Sequence, residues 1–138
     1  MLVHRAVTPL TPYGRPAAVA AATTGVVGLV AVVDPNESGH YPSCPFLSLT
    51  GLACPGCGSL RGVHALAHGD LLAAVSFNAL MVAAVPVLTW LWLRWVHRCR
   101  TGAPRPQPVP AFVLWSFAVV VVAFGVARNL PFGAALAP

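Results

Sequence analysis

An all-α membrane protein, with three transmembrane helices and a short interfacial helix inside a cysteine-rich extracytoplasmic loop, is the fold class that this chain predicts. Three observations predict it. Hydrophobic residues make up 57% of the chain and charged residues 8%, against about 25% charged in ordinary soluble domains, so the polar surface is too small for a water-soluble particle of this size. The apolar residues gather in three long stretches rather than in short amphipathic repeats. The arginines fall beside those stretches and mostly on one side of them.

Taken in order, residues 1–16 form a polar, proline-containing N-terminal segment, and Ala17 to Val33 carries no charge. At about 1.5 Å per residue, a helix over 17–33 covers roughly 26 Å, enough to cross a bilayer. A cleaved signal peptide fits this stretch less well, because the apolar run is long for one and no A-x-A site stands before Asp34. Ala20, Thr24 and Gly28 recur at helical spacing and predict a small-residue face for close packing. Residues 34–70 follow as the cysteine-rich loop, in which 59–68 reads as a short helix closed by Gly69, with Asp70 capping the next helix. The second span, 71–96, ends on Trp90, Trp92 and Trp95, an interfacial belt, and Pro86 predicts a kink within it. Residues 97–110 read as an Arg/Pro-rich connector, 111–127 as the third span and 128–138 as a tail. An odd number of spans puts Arg5, Arg15, Arg98, Arg100 and Arg105 on one side, with Arg94 at the helix end, and Arg61, Arg128 and all three acids on the other. The positive-inside rule then places the N-terminus in the cytoplasm, and the cysteine loop and C-terminus outside. The basic balance is thereby accounted for without nucleic acid. The absence of lysine and isoleucine suits a GC-rich bacterial genome, and the expected location is the bacterial cell membrane.

The chemistry concentrates in the loop. Cys54-Pro55-Gly56-Cys57-Gly58 has the form of the knuckle that brings two thiolates onto one metal, and Cys44 is the nearest third thiol. His64, His68 and His40 are the candidates to complete a site for zinc or copper, the first two on one face of the short helix with Arg61. Two other uses of the cysteines stay open: a disulfide that staples the loop of a non-catalytic accessory subunit, and a C-x-x-C redox pair in which Arg61 favours the thiolate and Cys44 resolves. Cys99, among the arginines of the connector, lies across the bilayer from these three. Asn78, inside the second span, is expected to bond to another helix or to the loop, since an unpaired amide there is costly. Asp70 is expected to pair with Arg61 or Arg128. No Ser-His-Asp set, phosphate loop or carboxylate pair is present, so the reading leans away from an enzyme. The partners expected are the lipid bilayer and another membrane protein or a second copy.

Cys44-Pro45, Thr50-Gly51, Cys54-Pro55-Gly56-Cys57-Gly58, Arg61, Gly69-Asp70, Asn78 and Arg128-Asn129, in that order, resemble the bacterial membrane family catalogued as domain of unknown function 2752. Gly62 departs from that family's usual alanine. The resemblance implies the topology and the choice of site residues, and implies no reaction.

Overall fold

The computed structural model describes residues 13–37, 39–104, 106–131 and 133. Arg5, Arg105 and most of the expected N-terminal segment and tail lie outside the described residues. Five helices and no strand occur among those described: α1 (Gly14–Val32), α2 (Pro45–Thr50), α3 (Ser59–Ala67), α4 (Leu71–Thr101) and α5 (Ala111–Ala127). α1 and α4 are long and apolar enough to cross a membrane, and α5 is a shorter apolar helix.

The boundaries follow local chemistry. α4 opens on Asp70, whose Oδ1 accepts from the Ala73 N–H at 2.9 Å. It runs five residues past the expected Val96 and stops at Gly102, which takes φ 63°. Arg98 and Arg100 therefore belong to its last turn, where cations suit the helix dipole, and the connector starts only beyond them. α5 has the expected bounds, entered from extended Pro110. α2 was not expected. It starts with Pro45 at its first position and ends against Gly51 at φ 71°.

The interruption expected at Pro86 falls elsewhere. Asn78 alone leaves helical dihedrals inside α4, with φ −161° and ψ 92°, and Pro86 stays within the helical run. Such a break strands backbone groups on both sides of it. Asn78 Oδ1 takes the Met81 N–H at 3.0 Å, so the second part of α4 begins with its own cap.

Packing is concentrated at the Asp70 end. α3 lies against both α1 and α4, burying Val30, Ala65 and Ala74. Gly62 makes the close approach: a Cβ there would stand 3.3 Å from the Ala74 carbonyl oxygen and against the Met81 methyl. An alanine at this position would therefore require Met81 to shift. α5 meets the rest of the chain through its C-terminal end, where a Cβ on Gly125 would come within 2.9 Å of Pro55. At the far end, Trp92 Nε1 donates to the Pro16 carbonyl of α1 at 3.2 Å. Of the small-residue face of α1, Ala20 is half-buried and Thr24 and Gly28 are exposed, and among the described residues a Cβ on Gly28 would meet nothing within 4 Å. Large side chains such as Leu72 and Trp115 are 86% and 73% exposed, so the helices turn their apolar surface outward instead of into a core.

Candidate metal centre

Two pieces of chain supply the cysteines. Cys44 is the residue before α2, and Cys54 and Cys57 flank the Pro55-Gly56 turn that leads through Gly58, at φ 80°, into α3. The positive φ turns the chain sharply after Cys57, which sets that sulfur back toward Cys54. The Sγ atoms of Cys54 and Cys57 lie 3.2 Å apart and those of Cys44 and Cys54 3.5 Å apart, and all three fall within 4.8 Å of one another. Thiolates about 2.3 Å from a common ion in tetrahedral geometry stand about 3.8 Å apart. The Cys54–Cys57 and Cys44–Cys54 separations fall somewhat short of that value. All four cysteines are free thiols.

Their environments differ. The Leu47 backbone N–H, in the first turn of α2, pulls the Cys44 thiol down to about 7, and the thiols of Cys57 and Cys54 add to the effect. Burial pushes Cys57 up to about 11, reinforced by the two neighbouring sulfurs. The Cys44 thiolate thus adds stability that is full above the ordinary thiol value of 9.0 and is lost as pH falls through about 7. Ionising Cys57 instead works against the fold, increasingly from 9.0 upward. In the redox alternative Arg61 was expected to favour a thiolate in the Cys54/Cys57 pair. The thiol brought down is Cys44, and backbone rather than arginine is the main cause.

Backbone turns serve two knuckle carbonyls, Cys54 from the Cys57 N–H at 3.0 Å and Gly56 from the Ser59 N–H at 3.1 Å, and side chains supply further donors. Asn78 Nδ2 donates to the Pro55 and Cys57 carbonyls at 2.9 and 3.1 Å and reaches Ser59 Oγ at 3.1 Å. Arg128, only 2% exposed, donates through Nη1 to the carbonyls of Cys54 and Cys57 at 2.9 and 3.0 Å, and through Nη2 to that of Phe77 at 3.3 Å. Phe77 immediately precedes the break in α4, so the guanidinium covers a carbonyl freed there. Its face lies over the Phe124 ring, 5.1 Å from the centroid. Asn129 grips Ala53 by both polar groups, accepting from its N–H and donating to its carbonyl, each at 2.8 Å. Asn78 therefore bonds to the loop, as its position in the second span led one to expect.

Other predicted residues go elsewhere. His64 Nδ1 meets the Val30 carbonyl of α1 at 2.8 Å and His68 Nδ1 meets the His64 carbonyl at 2.9 Å, and neither joins the sulfur cluster. His64 turns toward α1 instead of toward the cysteines. Asp70 caps α4 and makes no ion pair among the described residues, its carboxylate being occupied by the Ala73 N–H. Arg61 is exposed and lines an open cleft of about 660 Å³, together with Glu37, Tyr41, Cys44, Cys57 and Ser59. Cys99 lies near the opposite end of α4. The role of α2 escaped sequence reasoning. Pro45 and Gly51, spaced as a helix start and stop, were the available signal.

These features define a class: a small helical chain with membrane-type helices and a three-thiol knuckle locked by buried polar side chains. The model of the family described as "Protein of unknown function (DUF2752)" matches residues 44–92, which supports the resemblance read from the motif. The match contains the three cysteines and Asn78 and stops before Arg128 and Asn129. No curated protein and no solved structure matches the chain.

Proposed function

We propose that this is a three-span bacterial membrane protein, N-terminus in the cytoplasm, which holds a soft or borderline ion such as copper(I) or zinc on Cys44, Cys54 and Cys57 at the outer surface, for structure or delivery. The observation that carries the reading is the gathering of three sulfurs from two separate segments within 4.8 Å. Two facts support it: thiolates suit such ions, and a knuckle fixed by Asn78, Arg128 and Asn129 is organised before an ion arrives. No histidine completes the cluster, so a fourth ligand comes from water or from a molecule in the adjoining cleft. The span count rests on three apolar helices and the outward placement of the loop on the arginine distribution.

A thiol–disulfide relay is the second reading, favoured by the low pKa of Cys44 at 3.5 Å from Cys54. Protein purified anaerobically in detergent separates the two. The expected result is one thiophilic ion per chain, with the loop thiols recovered reduced once the ion is removed. Chain without metal, carrying a Cys44–Cys54 disulfide, would overturn the metal reading, and the relay rather than a stapled loop would then require that disulfide to exchange with an added dithiol. On intact cells stripped of the ion, a membrane-impermeant thiol reagent should reach Cys44 and spare Cys99, and the reverse would invert the orientation.

A further inference from the structure

We propose that the groove between α1 and α4 holds one anionic phospholipid, its phosphate on Arg98 and an acyl chain laid along the groove.

The groove has a volume of about 730 Å³ and is lined by Ala20 and Thr24 of α1 and by Leu88, Trp92, Trp95 and Arg98 of α4. That volume lies in the range of pockets that take small ligands. Leu88 and Arg98 stand ten residues apart in sequence, which is about 15 Å along a helix. A hydrocarbon core about 30 Å thick gives each leaflet a depth of about 15 Å. The α4 wall therefore matches one leaflet, apolar at Leu88 and charged at Arg98. Trp92 and Trp95 stand between them, and tryptophans of this kind mark the level of the headgroups.

Charge names the occupant. Arg98 is half-buried, and among the described residues it makes no hydrogen bond or ion pair. The acidic side chains of the chain are Asp34 and Glu37, beyond the end of α1 at Val32, and Asp70, at the opening of α4. Those positions lie at the far end of both helices, since Trp92 meets α1 at Pro16, near its start. Arg15, Arg94 and Arg100 only add like charge at the Arg98 end, where Arg94 lies over the Trp90 ring at 4.7 Å. An arginine at the edge of hydrocarbon is costly without a counter-charge. Lipid phosphate is the anion present at that depth, and the guanidinium fork matches it with paired donors. A zwitterionic headgroup would bring its own cation against these arginines, so the surplus charge selects a lipid of net negative charge. Basic pockets between membrane helices bind such headgroups on the cytoplasmic side, which is the side the arginine distribution assigns to this end.

The inference rests on the membrane placement proposed above and not on the cysteines. The test titrates the full chain in detergent with phosphatidylglycerol carrying brominated acyl chains, and in parallel with the matching phosphatidylcholine, and reads tryptophan quenching. Phosphatidylglycerol should give a saturable step at one lipid per chain. Phosphatidylcholine should give only the gradual quenching due to the exposed Trp90 and Trp115. Arg98→Gln should weaken the step about tenfold, the effect of losing a charge-assisted hydrogen bond. Arg100→Gln removes the same charge from an exposed position outside the groove and should leave the step in place. Thr24→Phe, which fills the groove and leaves Arg98 intact, should abolish it. Equal quenching by the two lipids, or equal weakening in Arg98→Gln and Arg100→Gln, overturns the site. So does a dimer in detergent whose groove tryptophans are shielded from both lipids, which would put a second copy there. Recovery of the chain in the soluble fraction of cells would remove the membrane reading and the groove lipid together, whereas a membrane-bound chain without the saturable step loses the lipid alone.

Discussion

At its Asp70 end, α4 packs against α3 with Ala74 and Asn78 fully buried, and the knuckle beside it is held by three side chains from α4 and the end of α5. At its Thr101 end the same helix touches α1 through the Trp92 indole, while Arg94 lies over the exposed Trp90 ring at 4.7 Å. In the membrane setting proposed above, the contrast follows from the solvent. Lipid tails are as apolar as leucine, so apolar contact between helices brings little that the bilayer does not already provide. Rigidity must come from polar groups that have no other partner, and in this chain those groups collect where the cysteines are. The two largest fully buried side chains are accordingly an arginine and an asparagine.

Arg128→Ala is the strongest way to break that contrast. It strips a donor from the carbonyls of Cys54, Cys57 and Phe77, of which Cys54 keeps the Cys57 N–H and Cys57 the amide of Asn78, while the Phe77 carbonyl freed at the break keeps neither. Losing three charge-assisted hydrogen bonds and orphaning one of their acceptors costs about 3 kcal/mol. Thermal unfolding in detergent should show a loss of that order, and a loss below about 1 kcal/mol would mean that the guanidinium does not hold the knuckle. Arg128→Lys should recover little, because one ammonium on a flexible stem cannot serve Cys54 and Phe77 together.

Asn78 comes next and sharpens the division of labour within one side chain. Asn78→Ala loses the cap on Met81 and the donors to Pro55 and Cys57, with an expected cost of about 2 kcal/mol. Asn78→Asp keeps the capping oxygen and replaces the donors with a carboxylate aimed at carbonyls. It should be at least as destabilising as alanine in the same unfolding measurement. Wild-type stability in Asn78→Asp would leave the cap as the whole of the residue's role.

How much of this was legible depended on the range of the interaction. The bounds of α5 could be read because an uncharged run stands between Pro110 and Arg128. The three cysteines could be grouped because a knuckle is local chemistry, and Cys44 lay close enough to join it. α2 could not be read by periodicity, being six residues long. The far end of α4 was lost because Arg98 and Arg100 look like connector residues until they are seen as the last turn of a helix. Helix spacing put His64, His68 and Arg61 on one face, but spacing does not say which neighbour that face meets, and α1 took His64. The importance of Arg128 was visible in the motif. Its work on three carbonyls was not, since it depends on how the end of α5 returns to residues 53–57 and 77.

Trp92→Phe, at the opposite end, should have the smallest effect. The indole N–H donates to the Pro16 carbonyl at 3.2 Å, and within α1 that oxygen is also the acceptor for the N–H four residues on. Removing the indole leaves the carbonyl satisfied, unlike that of Phe77 in Arg128→Ala. The phenylalanine ring keeps most of the apolar area and loses one polar contact between helices. Such contacts average about 0.6 kcal/mol in bilayers, so unfolding should shift by about that amount, with metal content at the cysteines unchanged. A loss matching Asn78→Ala would mean that the Trp92 end shares the load, and that the helices are joined at both ends by contacts of equal weight.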